Sequence, residues 1–430
     1  MKWAVYNVLF ALVYPFLLPG FLLRMLRRGG YAKRFADRFA LYPDEVRARL
    51  SRGGFVWIHA VSVGEVQVAG QLMREWRVAE PGVRFCFSTT SSTGWKMAEK
   101  EVGPNDTLIY NPLDFPNFVK SALKTVRPRA VVLTESEIWP NFIRFAKKYG
   151  IPLFLINARV SDRSAPRYRL AKCFFGDVFK CFTKIFAQSD LDRDRLVAAG
   201  APGEKVEVTG SFKFDVAHRN PAKEQELRAW IDANGGAGRI LLGGSTWPGE
   251  DEVLLRIYKK IVADDPKTDV RLVIAPRHFE KADAVEENIR KAGFGGVRRS
   301  RDEKDKRDSK DKAVFLADTT GELMGLYGIA DVVFVGKSLC AHGSQNMIEP
   351  CLCGKPTFVG PYTENFRPVM SDLLAADAIV QVRDEQELNN RMIEWSNNRM
   401  SGCGARAKAA VERRRGVVAK CVTEIRGAVG

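Results

Sequence analysis

Apolar and polar positions follow two rhythms along this chain. Short continuous apolar runs at 55–61, 84–90, 130–136, 151–157, 184–188 and 206–210 read as strands buried on both faces. Between them apolar residues recur every three or four positions. Val66, Ala69, Leu72, Met73 and Trp76 do so, as do the stretches 115–125, 138–149 and 190–199, which marks one face of a helix. The alternation restarts with strands at 239–244, 270–276, 314–317, 331–336, 356–360 and 378–382, and helices near 250–263, 280–292, 345–353 and 386–396. Strands alternating with helices predict an α/β fold with parallel sheets and helices on both faces. The expected division is a domain over 29–215, a polar, glycine-rich linker over 216–238, a domain over 239–403 and a closing basic helix over 404–430. Two such units of similar size imply two Rossmann-like domains facing a cleft.

The N-terminus breaks this rhythm. Trp3 to Leu23 carry no charge, and as a helix they would run about 30 Å, the thickness of a bilayer's hydrocarbon core. Arg24, Arg27, Arg28, Lys33, Arg34 and Arg38 follow, opposed only by Asp37, which places the rest of the chain on the cytoplasmic side. A cleaved signal peptide fits worse, because the positive flank lies on the wrong side of the run. Residues 1–28 are therefore expected to form a membrane anchor helix. Pro15, Pro19 and Gly20 interrupt it, which leaves a kinked span and a shallow interfacial anchor both open.

Composition narrows the partners. The formal charge of +16 favours anionic ones: an anionic lipid surface, nucleic acid, or phosphorylated and carboxylated substrates. Basic residues interleaved with stacking aromatics are not evident, nor is a helix-turn-helix signature, so no nucleic-acid partner is expected. The eight cysteines are scattered, and the one close pair, Cys351 and Cys353, lacks a second pair or nearby histidines. That is not zinc spacing, and neither a metal nor a cofactor is expected. The run 298–312 mixes both charge signs with almost no apolar residue and reads as a solvated loop.

Candidate chemistry gathers at strand ends, where open α/β sheets bind ligands. The first strand runs through Ser62-Val63-Gly64 into a helix that opens with Glu65. A carboxylate there, beside a glycine that lets a substrate approach, is a candidate general base. The same place equally suits an acidic residue that favours the helix dipole. Glu135 and Glu137 close another strand, and carboxylates so near each other have their pKa values pushed apart. Lys213 sits between Phe212 and Phe214, where it can neutralise a leaving phosphate or form a salt bridge with Asp215. In the second half, Leu241 to Glu250 passes from strand through small residues to helix, a shape that holds a phosphate or is a tight βα turn. Arg277 ends the next strand and suits bidentate contact with an acidic group, or is equally a surface arginine. Asn346 and Glu349 open a further helix and suit sugar hydroxyls or capping, and Gly321-Glu322-Leu323-Met324 begins a fourth along the same edge.

The combination His59 to Glu65, Glu135 to Pro140, Asn157 to Ser164 and Gly210 to Asp215 resembles the 3-deoxy-D-manno-octulosonic acid (Kdo) transferase family of lipopolysaccharide assembly. Pro276 to His278, Gly321 to Met324, Asn346 to Glu349 and Gly360 to Phe366 extend the likeness into the second half. The resemblance implies the two-domain glycosyltransferase architecture called GT-B, and inverting transfer of Kdo from CMP-Kdo to a lipid A precursor at the cytoplasmic face of the inner membrane. It gives Glu65 the role of proton acceptor and Glu135 and Lys213 that of transition-state stabilisers. It assigns CMP to Pro276 and Arg277, to Gly321, Glu322 and Leu323, and to Asn346, Met347, Ile348 and Glu349. The chain departs from the pattern at Gly343-Ser-Gln-Asn346, where the family usually has Gly-Gly-His-Asn, and at Gly336-Lys-Ser338, where it has Gly-Gly-Ser. Trp247 stands where a histidine is common. The alternatives are another GT-B nucleotide-sugar transferase, a UDP-sugar epimerase of the same architecture, and a membrane-anchored binder of anionic lipid or nucleic acid without turnover.

Overall fold

The computed structural model describes residues 2–28, 34–216, 219–301, 313–397 and 402–429. The chain forms two compact units, Met1–Val216 with Gly416–Gly430, and Ala217–Arg415.

The strands of the first unit are β1 (Val56–His59), β2 (Phe85–Thr89), β3 (Thr107–Tyr110), β4 (Ala130–Thr134), β5 (Leu153–Ala158), β6 (Lys184–Ala187) and β7 (Val206–Val208). They lie in the order β3-β2-β1-β4-β5-β6-β7 and every pair is parallel. Successive residues of a strand enter opposite layers. Trp57, Val131, Leu133 and Leu155 pack into one core, while Val56, Ile58, Val132 and Phe154 pack into the other. Burial on both faces is what made these strands legible as unbroken apolar runs. β3 escaped that reading because it is a short edge strand opening on a threonine. The order reverses direction at β1, which has β2 on one side and β4 on the other. That reversal opens a crevice at the carboxyl ends of β1 and β4.

The second unit repeats the scheme with β8 (Arg239–Thr246), β9 (Val270–Pro276), β10 (Gly296–Arg298), β11 (Val314–Leu316), β12 (Val332–Val335), β13 (Thr357–Val359) and β14 (Val380–Gln381). Their order is β10-β11-β9-β8-β12-β13-β14, again parallel throughout, with the reversal between β8 and β12.

Three expectations change at the joins. The stretch 216–238, read as a linker, holds the helix Pro221–Ala233, whose Leu227, Trp230 and Ile231 are buried. The closing helix is two helices, Cys403–Glu412 and Val417–Val429, separated by a turn in which Gly416 is left-handed at φ 88°. The second of these belongs to the first unit and puts Val417, Val418, Cys421, Val422 and Ile425 into its core. Of the charged run 298–312, Arg298 lies on edge strand β10 and pairs with Asp318, Glu286 and Asp283, while Arg299 pairs with Glu322 and Glu226. Residues 302–312 lie outside the described residues.

The N-terminal helix forms over the expected residues, Lys2–Arg28. Among the described residues no helix is long and apolar enough to cross a membrane. One face of this helix is committed to the first unit instead. Lys2 pairs with Asp177 at 2.8 Å, the Tyr6 hydroxyl donates to Asp114 at 2.8 Å, and Asn7 accepts from Asn141 at 2.7 Å. Phe10 and Tyr14 pack edge-on against Phe115. The opposite face leaves Val5, Val8, Leu9, Leu12, Val13 and Phe16 exposed. The basic cluster that follows is partly internal. Arg38 is buried over the Tyr110 ring, and Arg34 pairs with buried Asp37.

Candidate active site

The segments leaving β1 and β4 flank the reversal point of the first sheet; Glu65 lies in the first turn of the helix after β1, and Glu135 and Glu137 lie on the loop after β4. Ser62 caps the helix Val63–Ala79 by accepting from the Glu65 N–H at 3.2 Å. The Glu65 side chain reaches back, so that Oε2 accepts from the Val61 N–H at 2.9 Å and Oε1 from the Ser62 hydroxyl at 2.9 Å. This is a reciprocal cap, Ser at the cap and Glu three residues on. The Thr134 hydroxyl at the end of β4 lies 3.3 Å from the same Oε2. Glu65 is buried, and burial pushes its carboxyl pKa up. The charge of Glu137 pushes the same way, the Val61 and Ser62 hydrogen bonds pull partly back, and Glu135 adds a smaller upward push. A carboxylate in that condition is a stronger base than one in water. The space over Gly64 is open, since a Cβ there would meet nothing within 4 Å.

Glu137 is itself held from behind. Its Oε2 accepts from Trp139 Nε1 at 2.9 Å and lies 3.6 Å from Nε2 of His59. His59 is fully buried at the end of β1, with Nδ1 anchored on the Ser88 hydroxyl at 2.9 Å and the Ser88 carbonyl at 3.1 Å. Glu135 sits in the left-handed region at φ 49°, pairs with Arg159 at 2.9 Å and accepts from Asn157 at 3.3 Å. Asn157 is left-handed too, at φ 51°, and its Oδ1 accepts the Phe212 N–H at 3.1 Å. That bond ties the loop bearing Lys213 to the end of β5. Burial pushes the pKa of Lys213 down, the Glu135 charge opposes this, and Arg159 adds to it. Glu65, Glu135 and Lys213 therefore meet in one electrostatic neighbourhood. Asp215 has another use. Its two oxygens accept the N–H groups of Gly416 and Val418 at 2.8 Å each and cap the C-terminal helix.

In the second unit the implied nucleotide residues lie at strand ends, on loops and in the first turns of helices along the carboxyl edge, and they offer different things. Arg277 is exposed, its backbone fixed by the Thr246 carbonyl at 3.0 Å. Glu322 is occupied within the unit. Burial would raise its carboxyl, but Arg299, Thr319 and Lys223 outweigh that and hold it low. The segment Gly321–Leu323 can thus offer a ligand its backbone rather than that side chain. Met347 and Ile348 are fully buried in the core, so from this stretch the polar side chains are those of Asn346 and Glu349, joined at 3.0 Å. Burial pushes the Glu349 carboxyl up, against the pull of the Asn346 hydrogen bond. The small-residue turn after β8 is filled from within. The buried Glu250 carboxylate accepts the N–H groups of Trp247, Lys337, Ser338 and Leu339 at 2.8–3.1 Å, so those donors are engaged by an internal anion.

A family model described as 3-deoxy-D-manno-octulosonic-acid transferase matches residues 33–216. The chain is 31% identical over 393 residues to the 3-deoxy-D-manno-octulosonic acid transferase of Haemophilus influenzae, spanning 90% of this chain and 89% of that one. It belongs to this family. To the Bordetella pertussis Kdo transferase the identity is 33% over 369 residues, 84% of this chain and 83% of that one. Among solved structures, Anabaena HepE in complex with UDP matches with a TM-score of 0.56 over 87% of this chain and all of that chain, at 14% identity. That likeness concerns the fold alone: two parallel-sheet α/β domains resembling GT-B glycosyltransferases.

Several groups that shape this Kdo transferase's site did not stand out in the sequence. Arg159 lay inside the Asn157 to Ser164 motif without a role, because only the fold brings β5 beside β4. His59 read as a strand residue, and its link to Glu137 joins the end of β1 to the loop after β4. Glu250 stood only as the end of the Leu241 to Glu250 turn, whereas its carboxylate organises two loops.

Proposed function

We propose that this protein is an inverting glycosyltransferase that moves Kdo from CMP-Kdo to a lipid A precursor. The observation that carries the mechanism is Glu65, a buried carboxylate of raised pKa at the reversal point of the first sheet, beside an open approach over Gly64. Glu65 takes the proton of the acceptor hydroxyl. The freed oxygen forms a bond to the anomeric carbon of Kdo from the face opposite the phosphate, and the bond from that carbon to the phosphate oxygen breaks, releasing CMP. Lys213 supplies positive charge against the departing phosphate. Glu135 works through Lys213, because its charge opposes the burial that would otherwise favour a neutral amine. Arg277, Asn346, Glu349 and the backbone of Gly321 to Leu323 hold the cytidine nucleotide.

The same proposal puts the enzyme on the cytoplasmic face of the inner membrane, where a lipid acceptor is found. The exposed apolar face from Val5 to Phe16 supports an interfacial seat for the N-terminal helix. The test is direct. Purified protein in detergent, given freshly made CMP-Kdo and a tetraacylated lipid A precursor, is expected to produce the Kdo-bearing lipid. No product from that pair, with turnover of a UDP-sugar instead, would remove the proposal.

A further inference from the structure

The side chains of two residues beside the reversal point of the second sheet have no role in the proposed mechanism. Lys337, on the loop after β12, is left-handed at φ 58°, a conformation that glycine adopts freely and lysine does not. Its ammonium lies 4.7 Å from the ring centroid of Trp247, on the loop after β8, and pairs with no carboxylate among the described residues. The backbones of the two are held by one atom. Oε2 of Glu250 accepts the N–H of Trp247 at 2.8 Å and that of Lys337 at 2.8 Å. Trp247 also meets His278 edge-on at 5.4 Å and, with His278 and Pro276, lines a cavity of about 450 Å³.

A cation resting on a partly exposed ring gains little by itself. Here it is fixed at both backbones and set at the edge where such sheets bind ligands, with no paired carboxylate among the described residues. We propose that Lys337 is a donor-binding residue, whose ammonium, seated over Trp247, pairs with an acidic group of the CMP-activated sugar. CMP-Kdo offers two such groups, the phosphate and the sugar carboxylate. The proposal rests on the CMP-Kdo reading above. Lys337 and Trp247 are also two of the places where this chain departs from the pattern it resembles, and the contact makes them one feature.

Lys337→Gly separates function from packing, because glycine suits the left-handed backbone. We expect its KM for CMP-Kdo to rise about tenfold, the loss of one charge-assisted contact. Its kcat, its KM for the lipid acceptor and its melting temperature should stay at or above wild-type quality, and Lys337→Arg should restore the donor KM. Titration with CMP identifies the partner. Weaker CMP binding by Lys337→Gly assigns the phosphate, and unchanged CMP binding with a raised donor KM assigns the carboxylate. An unchanged donor KM, beside a wild type that transfers Kdo, overturns the proposal. So does a raised KM that Lys337→Arg leaves unrepaired, since a structural role then suffices. A wild type that transfers no Kdo removes the functional reading itself, and this inference with it.

Discussion

Glu65 serves two ends with one carboxylate. It completes the cap of its helix, and it is held in a setting that favours the protonated acid. The second effect has separable causes: burial first, then the charge of Glu137. Glu137→Gln removes that second push while leaving a side chain that can still accept from Trp139. The pKa of Glu65 should then fall towards that of an ordinary carboxylate. The base stays charged to lower pH, so the acid limb of the kcat/KM profile should move to lower pH. Turnover near neutrality should drop by a few fold, because a weaker base removes the proton less readily. A profile that stays in place would show that Glu137 does not act on the base. Glu65, Glu135 and Lys213 were legible as candidates because each follows an apolar run directly. Their supports, His59 and Arg159, were not, because each acts between neighbouring strands whose side-by-side placement only the fold sets.

At the scale of elements, the C-terminal helix Val417–Val429 is part of the unit that carries Glu65, and Asp215 is what receives it. Asp215→Ala leaves the N–H groups of Gly416 and Val418 without that acceptor and should lower stability by about 1–2 kcal/mol, the usual cost of a lost helix cap. Asp215→Asn should recover most of the loss. Thermal or denaturant unfolding measures it, and an alanine variant as stable as wild type but inactive would mean that Asp215 belongs to the chemistry instead. The strands were readable from sequence because burial on both faces writes a continuous apolar run. The short edge strands β3 and β10 bury less and left no such mark. The split of the expected closing helix was hidden for another reason. Its signal is one glycine, Gly416, in a stretch that is otherwise a good helix former, and only packing against Val63–Ala79 decides to which unit the last turns belong.

Across the whole molecule, the +16 charge and the apolar N-terminus pointed to an anionic membrane partner. The structure redistributes both. Arg38, Arg298 and Arg299 are spent on internal contacts, and half of the N-terminal helix is seated on protein. Among the described residues, the face proposed to meet a bilayer is the outward one, where Phe16 is 84% exposed and Leu12 61%. The double substitution Leu12→Glu with Phe16→Glu should release the protein from anionic vesicles in a flotation assay without lowering its melting temperature. Full retention on the vesicles would place the contact elsewhere. The proposal stands on one residue: Glu65 as the base in Kdo transfer. Glu65→Gln keeps an oxygen for the Val61 N–H and an amide that can donate to Ser62, so the cap survives. The decisive measurement is the turnover of Kdo onto the lipid acceptor by this variant, with its CMP binding and melting temperature recorded beside it. A loss of about 10²–10⁴-fold is expected, with binding and stability retained; turnover near that of wild type would remove Glu65 from the role of base.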